Sequence, residues 1–485
     1  MIHDLKPYPA YKDSGVPWLG KVPEHWEVKR LKRCSERFYS GGTPDSGNAG
    51  YYCNPPEGLP WLMIADMTRE KHVKKTVKAI TEKGRASKNL EILPKGTILY
   101  SIYASLGTVS ILEIEAAVNQ AIIGIKFRES DLKNKFAYYY LDSLSPHLSL
   151  MSNSNTQANL NAEKVRSLPV FLPPLTEQSA IVRYLDYMDQ RISRYIHAKQ
   201  NLIKLLEEQK QAIIHRSIIR GLDAGVKLKH SGLELLGDIP EHWEIKPAKY
   251  YYKEIDERSS SGSEELLSVS HITGVTPRSE KNVNMFMAES YVGYKICKEN
   301  DLVINTMWAW AGALGIAKQT GIVSYSYAVY RPIKKDLFLR QFIDLLLRTK
   351  PYIDEYVCRS TGIRSSRLRL YPEQFLRIPI IQPPIDEQKA ILGYINNHIN
   401  NLDELTRTTQ REIALIKEYR TRLISDVVTG KLDVRKTEKY LFVDDNHIEN
   451  NDEAAIEEFD SDDFDAVNLN GDSEEEYAYD CCKNI

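Results

Sequence analysis

A sixteen-residue stretch occurs twice in this chain, and that repetition limits what the chain can fold into. Ser14-Gly15-Val16-Pro17-Trp18-Leu19-Gly20-Lys21-Val22-Pro23-Glu24-His25-Trp26-Glu27-Val28-Lys29 returns as Ser231-Gly232-Leu233-Glu234-Leu235-Leu236-Gly237-Asp238-Ile239-Pro240-Glu241-His242-Trp243-Glu244-Ile245-Lys246, with ten of sixteen positions identical at an offset of 217. A second pair follows: Pro173-Pro174-Leu175-Thr176-Glu177-Gln178-Ser179-Ala180-Ile181 returns as Pro383-Pro384-Ile385-Asp386-Glu387-Gln388-Lys389-Ala390-Ile391 at an offset of 210. The 485 residues are therefore two half-copies of about 210 residues each. That period is too long for a solenoid and implies a pseudo-twofold molecule. Residues 30–155 and 247–360, between the matched parts, show only faint similarity. Like framework with unlike filling suggests one scaffold presenting two different reading surfaces.

Each Pro-Pro pair opens a helix. Thr176 and Asp386 are the expected N-caps, and Glu177 and Glu387 suit the positive end of the helix dipole. Ile181, Leu185, Met188, Ile192, Tyr195, Leu202, Leu206 and Ile213 follow a 4,3 spacing, interrupted by polar Lys199 and Gln209. Ile391, Ile395, His398, Leu402, Leu405, Ile416, Tyr419 and Leu423 fill the matching slots, with polar Thr409 and Glu412 in the same register. The pattern predicts two coiled-coil helices ending near Gly221 and Gly430, each up to roughly 65 Å long at 1.5 Å per residue. They are expected to pack antiparallel. An amphipathic helix in a globular core is the alternative.

The regions between read as α+β. Residues 96–102, 121–125, 301–306 and 327–330 look like strands, and 136–144 and 339–347 like short helices. Several loops carry groups able to meet DNA. They include Thr43 in Ser40–Pro44, and Asn155, Gln157 and Asn159 in Ser152–Asn159. In the second half they are His271, Thr276 and Arg278 in Ser270–Arg278, and Arg359, Arg364 and Arg367 in Arg359–Arg367. Asn and Gln pair bidentately with adenine and Arg with guanine, whereas Lys and Ser/Thr mostly hold backbone. For any one of these residues a solvated loop is the ordinary alternative. Lys74, Lys75 and Lys78 lie in a basic run from Arg69 to Lys88, which is either a solvated face or a phosphate track. Met307-Trp308-Ala309-Trp310 could stack on bases or belong to the core. His25-Trp26 and His242-Trp243 recur in the framework, which favours packing over chemistry.

The net charge of −2 conceals a division. Residues 441–485 hold 16 acidic residues against one Lys, about −15, so residues 1–440 carry about +13. A basic body permits a polyanionic partner. The acidic tail lacks the apolar residues for a core and is expected to be disordered. One hypothesis folds it back over a basic DNA cleft; a plain solvated tail is the alternative. No apolar run approaches the ~18 residues of a membrane span, and no signal-peptide core opens the chain. Six cysteines without a CxxC pair argue against structural zinc and for a reducing cytoplasm. P-loop, dinucleotide, HExxH and GxSxG motifs are absent from the sequence. Asn54-Pro55-Pro56-Glu57 approaches the Asn-Pro-Pro-aromatic element of amino-methyltransferases but has Glu57 where the ring would stack.

The Pro-Glu-His-Trp-Glu opening, the Pro-Pro-(Leu/Ile)-x-Glu-Gln-x-Ala-Ile closing, and Gln157-Ala158-Asn159-Leu160-Asn161 before it together resemble the specificity subunit of type I restriction-modification enzymes, over about residues 10–435. The resemblance implies target-recognition domains at 1–172 and 222–382, conserved coiled-coil helices at 173–221 and 383–435, and a tail at 436–485 outside the usual pattern. It implies that each domain reads one half of a split site in double-stranded DNA, while the helices set the spacer. The helices, with Ile181, Leu185, Leu202, Leu206, Ile391, Ile395, Leu402 and Leu405, would dock methyltransferase subunits, two of them. Restriction subunits would carry translocation and cleavage. S-adenosylmethionine, ATP and Mg2+ would belong to those partners, and this chain would hold no cofactor, no metal and no catalytic residue. A coiled-coil assembly scaffold without DNA binding explains the helices and the repeat equally. It leaves unexplained why the globular regions diverge while keeping polar, basic loops. A fused enzyme with an unrecognised active site is a further alternative.

Overall fold

The computed structural model describes residues 5–16, 20–103, 105–151, 160–280, 290–362 and 368–437. Five helices frame it: α1 (Asn134–Met151), α2 (Leu175–Arg220), α3 (Arg340–Leu347), α4 (Lys350–Arg359) and α5 (Ile385–Val428). The chain divides into two compact units. The first holds the described residues up to Lys199 together with those from Arg411 onward; the second is Gln200–Gln410. Each unit thus takes part of α2 and part of α5.

The first unit contains a five-stranded sheet in the order Ser35–Ser40, Ile122–Phe127, Ile98–Ser101, Val109–Leu112, His72–Val73. Only the last pair is parallel. Its inner strands are buried along nearly their whole length, because α1 covers one face and a second sheet (Ala117–Val118, Leu59–Leu62, Lys78–Ile80, Tyr52–Cys53) accompanies it, whereas the edge strand Ser35–Ser40 is partly exposed. Ile98, Tyr100, Ile123, Ile125, Phe136 and Tyr140 form the core between sheet and helix. The second unit repeats the antiparallel part of this frame as Tyr252–Ile255, Ala328–Pro332, Leu302–Ile304, Leu314–Ile316. Tyr330, Phe342, Leu346, Tyr352 and Tyr356 bury α3 and α4 against it. Each strand and helix position read from the sequence overlaps one of these elements; 96–102 and 301–306 overrun their strands at both ends, 121–125, 327–330 and 339–347 start one residue early, and 136–144 lies inside α1. The faintly similar regions therefore share a sheet and differ in what is hung on it.

α2 and α5 run 46 and 44 residues. Their termini follow from local chemistry. Both helices begin one residue before the expected caps, so Thr176 and Asp386 sit inside the first turn, and the Pro174 and Pro384 carbonyls accept the first intrahelical bonds from the Gln178 and Gln388 amides. At the other end Gly221 and Gly430 take φ of +71° and +77°, the left-handed geometry that glycine provides. A β-carbon on Gly430 would lie 2.4 Å from Pro23 Cδ, so the helix end is closed against the repeated framework motif.

Within the first unit Asp189 pairs with Arg420 at 2.5 Å and Lys199 with Glu412 at 2.7 Å. Within the second unit Lys210 pairs with Asp403 at 2.9 Å. Numbers rise on one helix as they fall on the other, so the segments are antiparallel in each unit. Two of the polar interruptions seen in the sequence, Lys199 and Glu412, are thus partners. Thr409, another interruption, is buried and donates its hydroxyl to the Leu405 carbonyl at 2.8 Å. Ile181 and Leu185 share one core cluster with Leu423, Ile424 and Val427, and Ile391 and Ile395 share another with Ile218 and Ile219. Leu206 is buried as well, Leu202 and Leu402 are half-buried, and Leu405 is exposed. This corrects the assignment of Ile181, Leu185, Leu206, Ile391 and Ile395 as docking residues: they face their own chain, and a partner would meet other faces of the helices. No helix among the described residues is long and apolar enough to cross a membrane.

Candidate nucleic-acid interface

The repeated motifs meet as two rigid frames, one per unit. In the first, Glu177 accepts from His25 Nε2 at 2.8 Å, Trp26 Nε1 at 3.1 Å and the Tyr8 hydroxyl at 2.5 Å. In the second, Glu387 accepts from His242 Nε2 at 2.6 Å and Trp243 Nε1 at 2.9 Å. The neighbouring glutamines are fully buried and saturated. Gln178 accepts from the Lys133 amide and donates to the Asp131 and Pro173 carbonyls. Gln388 accepts from the Leu339 amide and donates to the Leu337 and Pro383 carbonyls. Paired strands join opening to closing motif, Glu27–Arg30 with Pro169–Leu172 and Glu244–Pro247 with Pro379–Gln382. The Glu-Gln dipeptide therefore clamps each helix start to its sheet. Hydrogen bonds to a buried carboxylate are among the stronger ones a protein makes.

On each frame the structure brings two divergent loops together at one place. In the first unit the Leu160 amide donates to the Ile102 carbonyl at 3.2 Å. In the second the Leu370 amide donates to the Thr306 carbonyl at 2.9 Å. Leu160 and Leu370 are equivalent at the 210 offset, and Ile102 and Thr306 each lie just past an equivalent sheet strand. The described residues that follow the Asn/Gln-rich segment of the first half and the Arg-rich segment of the second are thus held at the same position on matching scaffolds. Asn155, Gln157, Asn159, Arg364 and Arg367 lie outside the described residues.

Around the first of these positions, Ile102 donates to the Ala121 carbonyl at 2.8 Å, and Thr43 Oγ1 donates to Gln120 Oε1. Gly41 makes this approach possible, since a β-carbon there would overlap the Asn119 carbonyl at 1.8 Å. Thr43, exposed Gln120 and exposed Tyr103 therefore belong to one loop cluster. Gln120 was not among the residues singled out from sequence; it sits in a short polar break between two strands, with no pattern to mark it. Lys74 and Lys75 are exposed but follow His72–Val73, at the end of Val109–Leu112 remote from this cluster. Lys78 opens the strand opposite Trp61.

Around the second position, Thr306 Oγ1 donates to the Ser326 carbonyl at 3.0 Å, which brings in Tyr325. Trp308 and Trp310 stack with ring centroids 5.4 Å apart, and Trp308 remains 42% exposed. Arg369 lies over the Tyr371 ring at 5.4 Å. Burial pushes the Tyr327 phenol up, and the nearby Arg278 guanidinium opposes that shift. The Oγ1 of Thr276 and Oδ1 of Asn305 are buried and find no hydrogen-bond partner among the described residues. The surface combines exposed aromatic faces with guanidinium groups. That combination binds nucleotide bases and phosphates without further chemistry. His271 stands apart, at the far tip of the Leu267–Pro277 hairpin, where Arg348 holds its carbonyl at 2.5 Å. Arg359 ends α4 and pairs with Glu355 at 2.7 Å, an acid one turn upstream that partly neutralises it. Among the described residues no group of three or more His, Cys, Asp or Glu is placed to hold a metal ion.

Comparison with known proteins agrees with this layout. Residues 23–205 and 269–415 match the model of the type I restriction modification DNA specificity domain. The specificity subunit of the type I restriction enzyme MjaIX from Methanocaldococcus jannaschii is 23% identical over 437 residues, covering 86% of this chain and 96% of that protein. The specificity subunit of EcoR124I/EcoR124II from Escherichia coli is 24% identical over 208 residues, 41% of this chain and 47% of that one. A chain solved in work on complex assembly and conformational transition of the type I R-M system shares the fold, with a TM-score of 0.59, 14% identity and coverage of 85% and 99%.

Proposed function

Because this chain belongs to the family of type I restriction-modification DNA specificity subunits, we propose that it is the non-catalytic address of such a complex. Each unit reads one half of an asymmetric, split site in double-stranded DNA. In the second unit Arg278, Trp308, Tyr325 and Arg369 form the reading edge; in the first, Thr43, Tyr103 and Gln120 do so, and Lys74, Lys75 and Lys78, away from that cluster, track the phosphates. Gln120 offers the bidentate geometry that suits adenine, and Arg278 that for guanine. α2 and α5 form a coiled-coil ruler for the unread spacer, as dimer geometry sets half-site spacing in other DNA-binding proteins. Their exposed apolar residues, among them Leu205, Leu405 and Leu415, are the docking positions for two methylation subunits. Those subunits bring S-adenosylmethionine; restriction subunits bring ATP-dependent translocation and cleavage.

The observation that supports this reading is the equivalence of the Leu160–Ile102 and Leu370–Thr306 contacts on like frames, each close in sequence to a polar segment of unlike composition. A scaffold without DNA binding has no use for that divergence. The test is a methylome of the host with and without the gene, by a method that detects N6-methyladenine. A split motif methylated only when the gene is present supports the reading. Exchange of residues 240–375 for those of a relative should then change one half of the motif. Active methylation subunits that bind this chain but neither bind nor modify DNA with it would refute it.

A further inference from the structure

The two framework nodes are equivalent in sequence but not in occupancy. In the first unit Tyr8 closes the node. Its hydroxyl donates to Glu177 Oε1, the oxygen that also accepts from Trp26 Nε1. Its ring meets Trp26 edge-on with centroids 5.7 Å apart, and Arg435 covers it at 4.9 Å. Glu177 is left 5% exposed. Burial and the Glu177 carboxylate both push the Tyr8 phenol up, so it stays protonated and is a donor. In the second unit the repeat offset of 217 places Gly225 where the first has Tyr8. The strand pairs that fix this register are equivalent, Tyr11–Asp13 with Lys21–Pro23 and Leu228–His230 with Asp238–Pro240.

The second node borders an open cavity of about 230 Å3, lined by Arg220, Asp223, Val226, His242, Glu387 and Ile391 among others, with Gly225 between the lining residues Asp223 and Val226. Glu387 is 41% exposed there. Its Oε2 has one donor, Trp243, where the matching oxygen of Glu177 has two. The volume falls below the ~300 Å3 at which drug-sized sites begin and suits a single side chain.

We propose that this cavity is a receptor for a tyrosine side chain carried by a protein partner, which completes the node as Tyr8 does in the first unit. The phenol would donate to Glu387 Oε2 and its ring would lie against Trp243 and Ile391. Tyrosine brings a rigid ring and one polar tip, which is why it anchors interfaces. Because Tyr8 already fills the first node, only one of the two repeated frames accepts such an anchor. A pseudo-twofold subunit thereby presents two unequal docking ends.

The full chain is labelled with 5-fluorotryptophan and titrated with p-cresol, a free tyrosine side chain, by fluorine NMR. Trp243 should shift saturably and Trp26 should not. Toluene, which lacks the hydroxyl, should bind about tenfold more weakly, the worth of a hydrogen bond to a carboxylate. Tyr8→Ala should make Trp26 respond to p-cresol. No saturable shift at Trp243, or equal binding of toluene, overturns the site. Gly225→Tyr supplies the side chain from within, and the backbone allows it: φ there is not left-handed, and an added β-carbon meets only Asp223 Oδ1 at 3.4 Å. That variant should lose the p-cresol response without a lower melting temperature. The partner assignment rests on the function proposed above. Gly225→Tyr should weaken assembly with the methylation subunits at least about tenfold, the scale of an interface hot spot. Assembly at unchanged affinity by a Gly225→Tyr chain whose cavity is shown to be filled overturns the partner assignment. Failure of the unaltered chain to bind those subunits counts against the proposed function instead.

Discussion

Removal of the two framework carboxylates should have very different costs. Glu177→Ala deprives three donors of their acceptor at once: the Tyr8 hydroxyl, the His25 imidazole and the Trp26 indole. Trp26 is fully buried and Tyr8 nearly so, so water cannot take the place of the carboxylate without opening the core. A hydrogen bond to a charged group is worth about 1.5–3 kcal/mol, and such bonds do not simply add when they share an acceptor. Removing one member of a buried charged cluster costs about 3–5 kcal/mol, and about 4 kcal/mol is the expectation here. Glu387→Ala removes two bonds, at a carboxylate 41% exposed and bordering an open cavity. Water replaces much of that interaction, and about 1 kcal/mol is expected. Bulk melting is a poor readout for a chain of two units, because it need not be two-state. Hydrogen exchange by mass spectrometry reads each frame separately, on the strand pairs Glu27–Arg30 with Pro169–Leu172 and Glu244–Pro247 with Pro379–Gln382. About 4 kcal/mol corresponds to roughly a thousandfold faster exchange in the first frame, against about fivefold in the second. Equal acceleration in both frames, or a larger effect from Glu387→Ala, would refute the idea that burial by Tyr8 sets the difference.

Other consequences can be checked with single variants. Trp308→Ala should weaken DNA binding by the assembled complex by about 1–3 kcal/mol, with circular dichroism unchanged, since the indole is 42% exposed and stacks on Trp310; unaltered binding would remove Trp308 from the reading edge. Burial holds the Asp142 carboxyl above its ordinary range, against a smaller opposing effect of Arg420. The folded state thus keeps this proton longer than the unfolded one, and its contribution to stability falls as pH rises through the unfolded and then the folded range. Asp142→Asn should abolish that slope and stabilise the chain at neutral pH, as measured by denaturant midpoints between pH 4 and 8. DNA affinity should fall with salt, by a logarithmic slope of about 0.9 for each phosphate neutralised. A double Lys74→Ala, Lys75→Ala variant should flatten that slope by up to about 2 if both lysines track the backbone, and leave it alone if they form a solvated face.

The repeated motifs mark the two frames in sequence because a clamp used twice must be written twice. The 4,3 spacing marks the long helices because burial on one helical face is a local, periodic demand. Lys199 and Glu412 stood out as polar residues in an apolar register for the same reason. Their pairing with each other did not, since 213 residues separate them and only the antiparallel packing within the unit sets that contact. The proposed reading surfaces were legible only as composition: the polar and Arg-rich segments were visible, but not that Thr43 meets Gln120, or that Trp308 and Tyr325 lie near the Leu370–Thr306 contact.

Two features needed the tertiary structure altogether. Arg359 looked like a free cation until α4 placed Glu355 one turn behind it. Tyr8 and Gly225 looked like unremarkable loop residues until the Glu177 and Glu387 nodes could be compared. The amino-acid order alone determined the twofold plan, the two long helices and the basic body with its acidic tail, because each is a matter of period or count along the chain. Which node is filled, which charges are cancelled and which loops stand together depend on contacts between distant segments. No local pattern encodes those contacts, and only the packed chain decides them.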